Sequence, residues 1–372
     1  MFFKALELHN FTNYTELHYQ VETFLNLLVG DNAQGKTNLL DAIYYLSSGS
    51  SYRFNQDQQL IKWGADFFTI EAVTQNKLNL NKTQFKYANG KKNIVVNERK
   101  LTKAADLLGI FTVVYFSPDD LYIVKGYPSL RRKYLDTEIC QTSPKYYYYL
   151  QQYKKNLFQR NVLLKAIRAQ KKNKTSLDIW NIQLAKYGAW LITKRLEMLR
   201  KIKPLARLAH RKLTDGLEEL EIIYKHSLAI NNNNLSCKEL EAIFIAQLEN
   251  CLDDDIAKGS TSKGPHRDDF QVNVNSYNLK EYGSQGQQRT AALSLKIAEV
   301  EFMYGETGEY PVFLLDDVLS ELDKKRREQL LTLVSDKIQT FITCTETSFL
   351  NAQMLRKADT YQVSKGSLQK IK

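Results

Sequence analysis

Cysteine is scarce in this chain: Cys140, Cys237, Cys251 and Cys344 are scattered over 372 residues, with no C-x-x-C spacing. Such scatter argues against a disulfide framework and offers no zinc-ligand pattern. No apolar run reaches the roughly 20 residues that a membrane-spanning helix needs. The first residues, Met1-Phe-Phe-Lys-Ala-Leu-Glu-Leu, alternate like a strand and carry Glu7, so the basic-then-apolar layout of a signal peptide is missing. No internal repeat is visible. No acidic metal cluster is read beyond Asp316-Asp317, which argues against a nuclease. Together these absences point to the cytosol.

What is present is an ordinary globular composition, 43% hydrophobic and 25% charged, at a length that suits one large or two moderate domains. The net charge of +11 is not spread evenly. Between Gln151 and Thr214 there are 17 Lys and Arg against two acids, Asp178 and Glu197, so this segment alone carries +15 and the remainder is slightly acidic. A concentrated basic region is the footprint of a polyanion binder. The plainer alternative is a solvated, lysine-rich helix face.

The first hundred residues read as mixed strands and helices. Phe67 to Val73, Phe85 to Tyr87 and Ile94 to Val96 have strand character, and Ala88-Asn89-Gly90-Lys91 suits a hairpin turn with positive φ at its centre. Leu101 to Leu107 suits a short helix, and Ile110 to Phe116 is apolar and β-branched enough for a buried strand. From Tyr146 to Leu213 the spacing is helical, with a turn at 171–176 and Pro204 placed to open a further helix. Residues 231–234, all asparagine, read as a polar loop, and Lys238 to Leu252 as another helix. Strand character returns at Phe270 to Val274, followed by a helix from Gln287 to Tyr304, a short strand Val312 to Leu315, a helix Lys325 to Val334 and a strand Thr340 to Cys344. The run Tyr146 to Tyr149 either packs a helix core or stacks on bases of single-stranded nucleic acid.

Gly30-Asp31-Asn32-Ala33-Gln34-Gly35-Lys36-Thr37 matches G-x-x-x-x-G-K-[ST], the nucleotide-phosphate loop. An apolar run, Phe24 to Val29, leads in like a strand, and Asn38 to Leu46 leads out like a helix. Gly30 and Gly35 allow backbone conformations in which successive N–H groups point at phosphate oxygens. The helix adds its N-terminal partial charge. In this pattern Lys36 reaches the β and γ phosphates of a nucleoside triphosphate, and Thr37 ligates Mg²⁺. Val312-Phe-Leu-Leu-Asp316-Asp317 is an apolar strand ending in two acids. Asp316 suits the hold on Mg²⁺, and Asp317 the polarising of an attacking water. Ser284-Gln285-Gly286-Gln287 precedes a good helix and reads either as an anion site or as a routine N-cap.

These pieces, in this order and followed by Ser320-Glu-Leu-Asp323, resemble the ABC-type ATPase class. The class implies an α/β head, with a mixed sheet and helices, in which two ATP molecules are sandwiched between two copies. Ser284, Gly286 and Gln287 of one copy would then meet the nucleotide held by Gly30 to Thr37 of the other. Lys36, Asp316 and Asp317 would be the catalytic set. The 248 positions from Lys36 to Ser284 exceed what a transporter head needs and fall far short of the long arms of SMC proteins. Phe116-Ser-Pro-Asp-Asp-Leu-Tyr-Ile-Val-Lys125-Gly126-Tyr-Pro128 with Arg131-Arg132-Lys-Tyr-Leu-Asp136, the stretch Lys263-Gly-Pro-His266-Arg267-Asp268-Asp269, and Asn10-Phe11-Thr-Asn-Tyr14 closely resemble signatures of the RecF family.

That resemblance implies a head formed by residues 1–117 and 253–372, with a mainly helical, basic lobe for DNA binding and dimerisation inserted at 118–252. It implies an ATP-dependent homodimer and weak hydrolysis that times DNA release. It also implies binding to single-stranded DNA and gapped duplex, and work with RecO and RecR toward loading RecA, away from membranes. The chain departs from the wider class at three places. Ala33 stands where many heads have glycine, and Asp317 where transporters have glutamate. After the last strand, Cys344-Thr345-Glu346 replaces the switch histidine, with Thr345 the candidate substitute. His266 and Arg267 fit equally a local structural pairing and a role near nucleotide or DNA. A transporter-type motor would show that histidine and lack the basic insert. A scaffold with a vestigial ATPase is the other alternative.

Overall fold

The computed structural model describes residues 1–170, 174–230, 235–334, 337–347 and 352–372. The expected turn at 171–176 lies partly, and the expected loop at 231–234 wholly, outside them. By contacts the chain divides into two compact units: Met1–Leu121, Lys212–Asp215 and Ala292–Lys372 form one, and Tyr122–Arg211 with Gly216–Ala291 the other.

The first unit holds two six-stranded sheets. One is antiparallel throughout and runs, from edge to edge, Tyr14–Gln20, Phe2–Phe11, Phe67–Gln75, Leu80–Ala88, Lys91–Val96 and Arg99–Lys100. Its strands alternate as a sheet with one buried face must, with Phe68, Ile70 and Ala72 inward between more exposed neighbours. The hairpin expected at Asn89-Gly90 is present, with φ of 51° and 72°. The second sheet is ordered Ser367–Lys370, Ala358–Ser364, Leu25–Val29, Thr340–Cys344, Val312–Asp316 and Val113–Phe116. All its pairings are parallel except the outermost hairpin. Parallel strands covered on both faces read as continuous apolar runs, and LNLLV, VFLLD, TFITC and VVYF do.

The helix Lys36–Ser48 joins the two sheets into one core. It is apolar nearly all round: Leu39, Leu40, Ala42, Ile43, Tyr44, Tyr45 and Leu46 are all buried. The Tyr45 ring meets Phe68 and Phe85 of the antiparallel sheet edge-on, while Val312, Leu314 and Phe341 of the parallel sheet belong to the same cluster. In the parallel sheet Asp316 lies opposite Thr343, Thr343 opposite Leu28, and Cys344 opposite Val29. Three strands therefore end at one level, and the loops leaving their carboxyl ends build the site.

The second unit contains the helices Pro128–Thr142, Pro144–Arg168, Cys237–Asn250 and Leu252–Lys258, most of Asp178–Leu213, and a three-stranded antiparallel sheet. Two expectations change here. Pro204 does not open a helix but lies inside Asp178–Leu213. An interior proline loses one helical hydrogen bond. The ring is exposed, however, and the buried stripe Ile202, Ala206, Ala209 and Leu213 runs straight past it, so packing carries the helix through. Residues 253–291, expected with the ATPase head, group with the second unit. The reason is a strand not foreseen, Leu220–Lys225, which pairs along the whole of Asp269–Val274.

Candidate functional site

The phosphate loop leaves Leu25–Val29 at its carboxyl end. A Cβ on Gly30 would stand 2.3 Å from the main-chain oxygen of Val363, so only glycine fits. Gly35 adopts φ +114° and precedes a helix with neither a side-chain cap nor an acid in its first turn. Its first amides and its dipole are therefore presented to an anion. Asp31, Asn32 and Ala33 are exposed at the crest. Ala33 holds φ +65°, a left-handed conformation that costs a residue with a Cβ about 1 kcal/mol. The brace comes from the N-terminal hairpin. Asn13 Nδ2 donates to Gln34 O at 3.0 Å, and the Tyr14 hydroxyl to Gly35 O at 3.0 Å. Gly366 N and Lys365 N hold Gln34 from the other side. The motif Asn10 to Tyr14 is thus the support of the phosphate loop.

Lys36 is 7% exposed, and its Nζ donates to Gly30 O at 2.5 Å and Asp31 O at 2.9 Å, inside the ring of the loop. Thr37 Oγ1 donates to Asp316 Oδ1 at 3.0 Å, joining the two motifs across 279 residues of sequence. Asp316 has two further partners: Thr343 Oγ1 donates to Oδ1 at 2.8 Å, and the Tyr115 hydroxyl to Oδ2 at 2.8 Å. Burial, and then the charge of Asp316, keep the Tyr115 hydroxyl protonated and hence a donor. A threonine hydroxyl beside a carboxylate is a hard-oxygen pair of the kind Mg²⁺ prefers.

Asp317 sits at φ +53°, which a β-substituted residue adopts only when its surroundings insist. Its N–H donates to Thr343 Oγ1 at 2.8 Å, and Ser320 Oγ donates to its carbonyl at 2.7 Å. Thr343 therefore touches both acids, whereas Thr345 is exposed. Neither Thr343 nor Tyr115 is named from the sequence, and Asn13 and Tyr14 are marked there as part of a signature without a role at the loop. The available signal was a polar residue within an otherwise apolar buried strand, for Thr343 and Tyr115 alike.

Gly30 to Thr37, Asp316 and Asp317 all lie in the first unit, and Ser284, Gly286 and Gln287 in the second. Ser284 caps the helix Gln285–Thr307 reciprocally with Gln287: Gln287 N donates to Ser284 Oγ, and Ser284 N donates to Gln287 Oε1. Both Ser284 and Gln285 are exposed. In the same unit the tyrosine run divides. Tyr146 is buried and donates to Asp136 at 2.5 Å, Tyr149 packs on Trp190, and Tyr148 is exposed. His266 is structural: Nδ1 accepts from the Tyr153 hydroxyl at 2.6 Å and Nε2 donates to Thr261 O at 3.1 Å. Burial lowers its pKa to about 4, so it is neutral near pH 7. Of the basic segment, Arg160 and Arg195 are buried and paired with Asp255 and Asp136, while Lys154, Lys155, Lys165, Arg168, Lys186, Arg200 and Lys203 face solvent.

No helix among the described residues is long and apolar enough to cross a membrane. A family model described as the RecF/RecN/SMC N-terminal domain matches residues 2–369. The chain is 41% identical over 369 residues to a DNA replication and repair protein RecF of Bacillus cereus, covering 99% of this chain and 98% of the relative. The RecF protein of Bacillus thuringiensis strain Al Hakam gives the same identity and coverage. A solved structure of the recombination mediator protein RecF with ATP, in the RecFOR pathway, superposes with a TM-score of 0.92 at 37% identity, covering 100% of this chain and 98% of the other. An Smc head bound to the C-terminal winged-helix domain of ScpA superposes at 0.57 and 17% identity, a likeness of fold. With a phosphate loop, a paired-acid strand and a full-length match of this kind, the chain belongs to the RecF family of DNA replication and repair proteins.

Proposed function

We propose that this chain is an ATP-gated DNA-binding protein of recombinational repair, in which ATP closes a dimer on DNA and slow hydrolysis opens it. The observation that carries this reading is the Thr37–Asp316 hydrogen bond at 3.0 Å, with Lys36 held inside the loop beside it. Lys36 binds the β and γ phosphates, and the amides of Gly30 to Gly35 cradle them. Thr37 and Asp316 are the pair that would hold Mg²⁺, which would supply neutralisation of phosphate charge when bound. Asp317 orients water; its carboxylate is one methylene shorter than glutamate, which suits slow turnover. Ser284, Gly286 and Gln287 of a second copy complete the nucleotide site. The first unit is the ATPase head and the second the DNA-binding and dimerisation lobe, its exposed lysines and arginines neutralising backbone phosphates. The substrates are single-stranded DNA and the single-strand/duplex junctions of gaps, the partners RecR and RecO, and the outcome loading of RecA, in the cytoplasm. The lack of any histidine after Thr340–Cys344 sets a transporter motor aside.

The test is a titration of gapped duplex with ATP and with ADP, from 50 to 200 mM salt. If six to ten phosphates are contacted, affinity falls ~10³–10⁵-fold over that range, and it is higher with ATP. An affinity indifferent to both salt and nucleotide overturns the proposal. If DNA binding persists with ADP and without turnover, the scaffold with a vestigial ATPase is favoured.

A finer expectation concerns Tyr115, whose ring stacks on Tyr52 at 4.2 Å between centroids. Tyr115→Phe keeps the stack and removes only the donor to Asp316. The Mg²⁺ concentration giving half-maximal nucleotide binding should rise about tenfold, with binding in EDTA unaltered. An unchanged Mg²⁺ dependence would show that Thr37 and Thr343 orient Asp316 unaided.

A further inference from the structure

Two of the family-like motifs meet in the second unit. The helix Pro128–Thr142 brings Arg131 and Arg132, the loop before the strand Asp269–Val274 brings His266, Arg267 and Asp268, and the strand begins with Asp269. Arg131 is committed: it grips Asp269 with both prongs, at 2.6 and 2.9 Å. Arg195 is likewise committed to Asp136 and to the carbonyl of Pro265. The third acid, Asp268, is turned inward to accept from the Tyr224 hydroxyl and from Ser227 N. All three carboxylates of the cluster are thereby occupied.

Two arginines are left over. Arg132 donates through Nη1 to the main-chain oxygen of Asp268 at 2.8 Å, and Arg267 through Nε to the main-chain oxygen of Thr261 at 3.2 Å. Neither has an ion-pair partner among the described residues. Each is anchored at one nitrogen, which leaves the other N–H edges of its guanidinium unspent. Arg267 is exposed and Arg132 half-buried. Beside them His266 is uncharged, and its two ring nitrogens are taken by Tyr153 and Thr261. The positive charges crowd one another. Burial first, then Arg195 and also Arg267, pull the Arg132 pKa below its usual value, although Asp269 and Asp268 oppose this. The protein thus pairs the buried arginines Arg131, Arg160 and Arg195 and leaves two others, Arg267 exposed and Arg132 half-buried, without a counter-charge of their own among the described residues.

We infer that Arg132 and Arg267 together hold one phosphodiester of a nucleic-acid backbone. The planar fork of a guanidinium matches the oxygens of a phosphate, and an anion between the two relieves their repulsion. Nucleic acid is the occupant because the same unit presents the exposed lysines and arginines of the 151–214 segment, a spread of charge suited to a polyanion. The inference rests on the DNA-binding reading above and names a contact within it.

The experiment is fluorescence anisotropy of gapped duplex with the full chain over a salt series, for wild type, Arg267→Ala, the double variant Arg132→Ala/Arg267→Ala, and Arg132→Lys/Arg267→Lys. The double alanine variant is expected to bind about tenfold more weakly at low salt. The slope of log affinity against log salt should be shallower by about 1, the signature of one lost phosphate. The lysine pair should recover part of the affinity, since charge remains and the fork does not. Arg267→Ala, at an exposed side chain, should show a partial loss even if the double variant folds poorly. If wild type binds and every variant binds alike with an unchanged slope, the phosphate contact is wrong while the broader reading stands. If DNA affinity is intact but ATP-dependent dimerisation fails, the anion is a nucleotide phosphate and the inference is overturned. If wild type itself does not bind DNA, both fall.

Discussion

Lys36→Ala is expected to abolish ATP binding at physiological concentrations and, with it, ATP-dependent dimerisation. The side chain is buried and its ammonium is held inside the loop by the carbonyls of Gly30 and Asp31, where the phosphate-loop pattern places the β and γ phosphates. Two charge-assisted hydrogen bonds to phosphate oxygens, at about 1.5–3 kcal/mol each, put the loss at about 3–6 kcal/mol, or ~10²–10⁴-fold in affinity. Calorimetry with ATP reads the affinity, and size-exclusion chromatography in ATP reads the dimer. Because the helix Lys36–Ser48 is held mainly by its apolar surface against two sheets, the variant should remain folded. A Lys36→Ala protein that still dimerised with ATP would sink the gating model.

Asp255→Ala should produce the largest loss of stability in the second unit. Asp255 and Arg160 are both 0% exposed and 2.8 Å apart. Arg160 also donates to Asn181 and Thr261, and Ser262 N donates to the other oxygen of Asp255. Removing the carboxylate leaves a fully buried guanidinium without its counter-charge, at a cost of about 3–5 kcal/mol. Replacing both partners by apolar residues, Arg160→Met with Asp255→Leu, removes the charge altogether and should recover most of that loss. Denaturant unfolding followed by circular dichroism distinguishes the two. Equal destabilisation of the single and double variants would mean that cavity formation, not the stranded charge, is responsible. The pair is also linked to the neighbouring loop, because Arg160 donates to the Thr261 hydroxyl and the Thr261 carbonyl accepts from both His266 and Arg267.

Much of the head was legible in the sequence because its signals are local. The phosphate loop announces itself within eight residues, and the strand before Asp316 within five. Asn89-Gly90 names its own turn. What was not legible depends on partners far along the chain. Asn13 and Tyr14 brace a loop about 21 residues away, and nothing in Asn10 to Tyr14 itself says so. Thr343 and Tyr115 look like strand fillers until the parallel register puts them against Asp316. Leu220–Lys225 is short, and its partner strand begins more than forty residues later, so the grouping of 253–291 could not be read from periodicity. Pro204 is the opposite error: a strong local signal overruled by a continuous buried stripe.

The basic segment shows both the strength and the limit of counting charges. Its excess of +15 counts every lysine and arginine alike, yet two of its arginines, Arg160 and Arg195, are buried structural groups. Arg132 and Arg267, which lie outside the segment, are the better candidates for a defined phosphate contact.

The central claim, that ATP assembles a DNA-holding dimer, is tested most directly by sedimentation velocity of the pure protein with ATP, with ADP, and with each in the presence of gapped DNA. A dimer with ATP, a monomer with ADP, and gapped DNA moving with the ATP dimer alone are the expected results. A monomer in saturating ATP, or DNA carried equally in both nucleotides, would contradict it.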